Sequence, residues 1–214
     1  MKSSIRRYPG EAASVTYDIP RCIHAAECVR RLPAVFDPER RPWILPDRGD
    51  AAQLAEAVAA CPTGALHVER ADGAAEPGPP VNTASVQPNG PLYVAGAIEV
   101  VEGAETVLRD TRVALCRCGD SGNTPLCDLS HAKAAFHNDG VLTGGPQESG
   151  GAESGPVRFT PVPNGPLRFE GPLVVTCPDG NRRRVTSGAL CRCGCTRTTP
   201  FCDGSHRAAG FRTE

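Results

Sequence analysis

The chain has 214 residues, with 23 Lys and Arg against 24 Asp and Glu, a formal net charge of −1 that gives no electrostatic case for binding nucleic acid. No stretch approaches the roughly 20 consecutive apolar residues of a membrane-spanning helix, so no membrane partner is expected. Eleven cysteines, an odd count without a secretory signal, argue against a disulfide framework and for thiolates in a reducing compartment such as the bacterial cytoplasm.

The first third reads as a small folded unit. Val15–Tyr17 and Ala65–Val68 have the composition of short strands that can pair. A helix is expected from about His24 to Leu32, stopped by Pro33. Asp50 can cap a second helix over Ala51–Ala60, with Leu54 and Val58 on one face. Pro62 cannot continue that helix, which leaves Cys61 at its end. Trp43, the single tryptophan, is expected in the core of this unit.

Three cysteines punctuate these elements: Cys22, Cys28 and, after a long interval, Cys61-Pro62. A close pair followed by a remote Cys-Pro resembles single-cluster bacterial ferredoxins. Cys28-Val29-Arg30-Arg31-Leu32-Pro33, Phe36-Asp37, Arg41-Pro42-Trp43-Ile44 and Cys61-Pro62-Thr63-Gly64-Ala65-Leu66 resemble the divergent single-cluster ferredoxin domain. In four-cysteine versions of the motif another cysteine stands where this chain has Ala25. The resemblance therefore implies a 3Fe–4S cluster, or a 4Fe–4S cluster whose fourth iron takes His24, Glu27 or water.

Ala71–Pro80, rich in Ala, Gly and Pro, reads as part of a linker over 71–85. Beyond it the chain repeats itself. Cys116, Cys118, Cys127 and His131 recur as Cys191, Cys193, Cys202 and His206, and 191 − 116, 193 − 118, 202 − 127 and 206 − 131 all equal 75. Pro88-Asn89-Gly90-Pro91-Leu92 returns at the same step as Pro163-Asn164-Gly165-Pro166-Leu167, and Phe136 returns as Phe211. A fixed step marks a duplicated structural unit, and two units pack best face to face as an internal pseudo-dimer. A Gly-, Ser- and Glu-rich linker over 139–156 separates module 86–138 from module 157–214. Short β-type runs such as Leu92–Val94, Ala97–Val101 and Leu173–Thr176 make each module β-rich, with a helical turn expected after each ligand histidine. Arg182-Arg183-Arg184 reads as a solvated hairpin tip.

Four soft-to-borderline donors in so short a segment can close around a metal centre, and Cys3His is also an ordinary zinc set. The string Cys202-Asp203-Gly204-Ser205-His206 resembles the CDGSH iron–sulfur domain, the mitoNEET-like family. That resemblance implies two 2Fe–2S clusters. Cys116 and Cys118 would hold one iron, with Cys127 and His131 on the other; Cys191 and Cys193 would pair likewise against Cys202 and His206. In the first copy Leu129 replaces the motif glycine and is expected to be strained if that position needs positive φ. Cys195, Cys177, His67 and His137 fall outside the repeated sets. Ser121 and Thr196, at matched places, are candidates to hydrogen-bond cluster sulfur, and Asp128 and Asp203 to orient backbone or the ligand histidine.

These observations give an α+β chain: a ferredoxin-like domain over 1–70, then two β-rich modules. The expected function is electron transfer in a monomer with a redox partner protein. Cluster donation to an apo-acceptor, with redox or pH sensing, is the first alternative, and a zinc-stabilised interaction module the second. No nucleotide-binding loop or acid–base set suggests an enzyme.

Overall fold

A computed structural model describes residues 1–74, 76–149 and 154–213. Contacts divide the chain into two compact units, Lys2–Pro77 and the region from Gly78 onward.

In the first unit, β1 (Ile5–Tyr8), β2 (Ala13–Asp18) and β3 (Leu66–Arg70) form an antiparallel sheet with β2 central. The pairing expected between Val15–Tyr17 and Ala65–Val68 is present, with Val15 opposite Val68 and Tyr17 opposite Leu66. Helix α2 (Ala51–Ala59) buries Leu54, Ala57 and Val58, and the Asp50 carboxylate accepts from the Ala52 and Gln53 N–H groups. Val15, Val35, Phe36, Ile44, Leu54, Val58 and Leu66 make the core. Trp43 borders it half-buried, with Tyr17 edge-on at 5.0 Å. Helix α1 is shorter than expected, Glu27–Arg31 rather than from His24. His24 (φ 54°) and Ala26 (φ 60°) are left-handed, a conformation a right-handed helix cannot include.

The second unit is built from two matching sets of strands. The first copy supplies β4 (Thr83–Val86), β5 (Leu92–Glu102) and β6 (Glu105–Leu115), and a short helix α3 (Ser130–Lys133). The second supplies β7 (Val157–Pro161), β8 (Leu167–Thr176) and β9 (Arg182–Leu190). Hairpins β5–β6 and β8–β9 are antiparallel. Between them β4 and β7 lie end to end. β4 pairs antiparallel with β5 and parallel with β8, while β7 pairs antiparallel with β8 and parallel with β5. Each copy thus completes the other's sheet.

The handover from β4 to β7 along β5 falls at a register shift between Ala95 and Ile98, beside Gly96 (φ 143°). Its counterpart along β8 falls beside Gly171 (φ 110°), and 171 − 96 = 75. A side chain at Gly96 would strike Asn82, and one at Gly171 the Pro156 carbonyl, so both bulges require glycine.

Three expectations fail locally. β4 begins inside the stretch read as linker, because the Asn82 side chain ties its start to Ala97 N–H, Gly155 O and Pro172 O. Arg182–Arg184 open β9 opposite Thr176, Val175 and Val174 instead of forming a hairpin tip; Pro178–Asn181 make the turn, with the Cys177 N–H on Asn181 O. The stretch after Asp139 is partly packed. Leu142 covers the core and Arg183 bonds Gly144 O and Pro146 O. Residues 150–153 of that expected linker lie outside the described residues.

Both copies feed one apolar cluster, including Leu92, Val94 and Val113 from the first and Phe159, Phe169 and Leu190 from the second. Phe159 is fully buried against Phe169, ring centroids 6.3 Å apart. Phe159→Ala should lower stability by about 3–5 kcal/mol. In urea melts both copies should still unfold in one transition; separate transitions would mean that the copies do not share this core.

Candidate metal centres

The first ligand loop leaves β6 at Leu115 and folds back on it. Cys116 N–H donates to Pro125 O at 2.8 Å and Cys127 N–H to Ala114 O at 2.8 Å. The second loop leaves β9 in the same way, with Cys191 N–H on Pro200 O at 2.9 Å and Cys202 N–H on Ala189 O at 2.8 Å. These bonds bring the far end of each loop beside its start. His131 then stands one helical turn beyond Cys127 on α3. His206 occupies a series of hydrogen-bonded turns, with Ala209 N–H on Ser205 O at 3.0 Å.

In both copies the donors come in two pairs. Cys116 Sγ is 3.6 Å from Cys118 Sγ, and Cys127 Sγ is 3.4 Å from His131 Nδ1. The second copy gives 3.6 Å for Cys191–Cys193 and 3.3 Å for Cys202–His206. Two sulfurs about 2.3 Å from one tetrahedral ion stand roughly 3.8 Å apart, so each pair has the bite of one metal atom. Among the described residues no three of His, Cys, Asp and Glu converge closely enough to hold a single ion.

The electrostatics repeat as well. Hydrogen bonding from the second cysteine holds the Cys116 and Cys191 thiols down at about 6, and the same bond pushes Cys118 and Cys193 up. Burial pushes Cys127 up to about 11 and raises Cys202. Burial, then the Arg117 cation, lowers His131. One thiol of each Cys-Cys pair is thus ready to ionise, and metal binding would drive off the remaining protons.

The hydroxyls of Ser121 and Thr196 donate to carbonyls of their own loops, Leu126 O and Phe201 O, each at 2.6 Å. Asp128 accepts from Gly122 N–H at 2.8 Å and Ser130 N–H at 3.0 Å; Asp203 accepts from Arg197 N–H and Ser205 N–H at 3.0 and 2.9 Å. Each aspartate therefore pins the loop ahead of the cysteine to the turn that carries the histidine. Hydrogen bonds from Ser205 and Arg197 hold the Asp203 carboxyl well below the usual range. Cys195 is exposed, its N–H 3.5 Å from Cys193 Sγ, and Cys177 is part of the core. His137 is exposed, and His67 pairs with Glu76 at 2.8 Å.

Residues without an obvious sequence signal complete these sites. Arg117 and Arg192, each between two ligand cysteines, are buried. Each lies under its own copy's aromatic ring, Phe136 at 5.4 Å and Phe211 at 5.8 Å. Each ring reaches the other copy's loop. A Cβ on Gly119 would stand 2.6 Å from Phe211, and one on Gly194 2.9 Å from Phe136. The repeated Cys-Arg-Cys was the available clue, but a charged residue is read as exposed by default.

In the first unit Cys22, Cys28 and Cys61 line one hollow with Tyr17, Trp43, Ala25 and Glu27. His24 lines an adjoining hollow that shares Cys22, Cys28, Tyr17 and Trp43. Burial, then the Cys61 charge, pushes the Cys28 thiol up to about 11.

Residues 8–71 match a family model described as a divergent 4Fe-4S mono-cluster, and 89–132 and 164–207 match one described as iron-binding zinc finger, CDGSH type. The chain therefore carries two domains of the CDGSH iron-binding type. Its N-terminal part is a divergent mono-cluster domain, similar to the uncharacterized protein YjdI of Escherichia coli K12 and its counterpart in strain O157:H7. Identity to each is 39% over 61 residues, which is 28% of this chain and 80% of the relative. No solved structure matches the chain. No helix among the described residues is long and apolar enough to cross a membrane.

The two CDGSH motifs differ where the sequence raised strain. Leu129 has φ 72° and Gly204 has φ 89°, so the first copy places a leucine in the left-handed region. A non-glycine residue there costs about 1–2 kcal/mol. Leu129→Gly should raise stability by about 1 kcal/mol, and Gly204→Leu should lower it similarly. No other atom lies within 4 Å of a Cβ at Gly204, so the second effect would be conformational alone. Urea denaturation of the two variants checks the signs; equal signs would remove the strain argument.

Proposed function

We propose that the chain is an electron-transfer protein with two 2Fe–2S centres, one on each Cys3His set, and a further 4Fe–4S or 3Fe–4S centre on Cys22, Cys28 and Cys61. The observation that carries this reading is the pairing of donors. A structural zinc site gathers four ligands around one ion. Here each copy offers two separate bites, Cys-Cys and Cys-His, and no three donors meet on one point among the described residues. That arrangement suits two linked metal atoms better than one. The family description of the first unit favours 4Fe–4S there. Glu27 and His24 both remain candidates for a fourth ligand: Glu27 borders the three-cysteine hollow with its carboxylate on Arg30 and Arg31, and His24 lines the adjoining hollow with Cys22 and Cys28.

When bound, the clusters would supply one-electron redox chemistry. The protein's part is to hold the thiolates in register on strand ends, keep Cys116, Cys127 and Cys191 out of water, and leave His131 and His206 half-exposed. A neutral imidazole places less negative charge on iron than a thiolate and raises the potential of its centre. Exposure of the histidines also favours a second reading, donation of clusters to an apo-acceptor through acid-labile Fe–N bonds. In either case we read the chain as a carrier rather than an enzyme, acting on a protein partner in the bacterial cytoplasm. The proposed organisation is an α+β one: a ferredoxin-like domain over 1–70 and modules 86–138 and 157–214 as an internal pseudo-dimer. The reciprocal pairing of β4 with β8 and β5 with β7 supports the last point.

Protein purified without air should be coloured and contain iron and acid-labile sulfide in amounts matching three centres. Stoichiometric zinc without visible absorption would overturn the iron–sulfur reading. Ala25→Cys should stabilise the 4Fe–4S form of the first unit, read by electron paramagnetic resonance of the full chain. His131→Cys and His206→Cys should each retain a cluster, lower its midpoint potential and slow its bleaching at mildly acidic pH, because an anionic thiolate replaces a neutral imidazole. His137→Cys should do neither. Unchanged potentials in both ligand variants would show that these histidines do not bind iron. Reduction by a ferredoxin reductase, compared with transfer to an apo-ferredoxin, separates the two readings.

A further inference from the structure

The duplication supplies its own control for a cavity beside Arg192. In the first copy the buried Arg117 guanidinium is satisfied on all three nitrogens. Nε donates to Gly90 O at 2.9 Å, Nη2 to Gln87 O, and Nη1 to the Asn138 side-chain oxygen at 3.0 Å. Asn138 Nδ2 donates in turn to Thr199 Oγ1 at 3.1 Å. The space left among these groups is about 10 Å³, at the lower limit for one water.

The second copy repeats the arginine but not its partner. Arg192 is only 4% exposed; Nε donates to Gly165 O at 3.0 Å and Nη2 to Val162 O at 2.6 Å. Nη1 has no protein partner among the described residues. The position matching Asn138 is Thr213, since 138 + 75 = 213, and its hydroxyl is used by the Asn164 N–H at 3.1 Å. Thr124 takes the place of Thr199, since 199 − 75 = 124. In the first copy the segment after Asn138 packs over this space, with Gly140 against Val86 and Pro178; beside Arg192 the space is an open cavity of about 610 Å³, within the range of small-molecule pockets. Arg168 and Thr160 join Arg192, Thr124 and Thr213 on its lining. Arg168 stands where the first copy has Tyr93, since 168 − 75 = 93, and its side chain makes no ion pair or hydrogen bond among the described residues. Glu102 is the one carboxylate on the lining, and it is exposed and free to turn into solvent.

We propose that this cavity binds a phosphoryl oxyanion, held by the Arg192 and Arg168 guanidinium groups and the Thr124 and Thr160 hydroxyls. A buried guanidinium with a spare N–H, a second cation and neutral O–H donors are the groups that recognise a compact, multiply charged oxygen acceptor. The volume admits either free phosphate or the phosphate end of a small metabolite.

The test is isothermal titration of the full-length, cluster-loaded protein with inorganic phosphate and, separately, with ribose 5-phosphate. One saturable site is expected. Thr213→Asn and Arg168→Tyr each install the first copy's residue, which this fold already accommodates, and each should weaken binding roughly ten-fold or more, as loss of a charge-assisted contact predicts. Their thermal transitions and visible spectra should match the wild type. Tighter binding of ribose 5-phosphate assigns a phosphorylated metabolite; equal affinity assigns the free ion. No saturable binding of either probe, or wild-type affinity in both variants, overturns the site. The titration reads anion binding and not redox chemistry, so failure of this site and failure of the cluster assignment are distinguishable.

Discussion

The donor pairs exist because each ligand loop closes on the last residues of a strand. Two backbone hydrogen bonds per copy do this, one from each of the cysteines that the loop must bring together. A flexible loop carrying the same residues would lose much conformational entropy on binding metal. Here the sheet bears that cost in advance, since β6 and β9 end in the buried Leu115 and Leu190. The geometry of the sites is therefore a property of the shared core. That core in turn needs both copies, because β4 and β7 each fill a gap in the partner copy's sheet.

The same reciprocity extends to charge. Arg117 and Arg192 are buried, and burial lowers the pKa of both. What offsets the desolvation is partly local, through loop carbonyls, and partly remote. The thiol that most favours the Arg117 charge is Cys191 of the other copy, and for Arg192 it is Cys116. A buried cation facing a site that holds anionic thiolates is stabilised by that site and stabilises it. The crossed rings act alongside. Phe136 and Phe211 cover their own arginines while pressing on the glycine that follows the other copy's second cysteine. Charge and packing both tie each centre to its counterpart.

Much of this was legible in the sequence where the cause is local. Asp50 announced a helix cap, Pro62 its end, and the 75-residue step the equivalence of the two ligand loops. What was not legible has non-local causes. The Thr83–Val86 strand lies in a Pro- and Gly-rich stretch with no strong periodicity of its own; Asn82 and two neighbouring strands make it a strand. Arg182–Arg184 look like solvent-facing charge, yet pairing with β8 overrides composition. Left-handed His24 and Ala26 shorten α1, and nothing in those two residue types predicts it. The depth of Arg117 and Arg192 was hidden for the same reason, since only the folded loops reveal the carbonyls that accept from them.

The divergence between copies carries the remaining information. The two share strand pairing, donor spacing and buried arginine, so these features are constrained by the fold or the metal. Where they differ, the constraint has been relaxed or redirected. Leu129 against Gly204 is relaxation, since leucine brings backbone strain to a left-handed position that glycine adopts freely. Asn138 against Thr213 is of another kind. With threonine there, Nη1 of Arg192 has no protein acceptor among the described residues and faces an open cavity, where it is available to a solvent or ligand oxygen. The accompanying change of Tyr93 to Arg168 adds positive charge at the same opening rather than removing it. Both differences leave cationic N–H donors at the second copy's opening that the first copy lacks, and both favour an anion there.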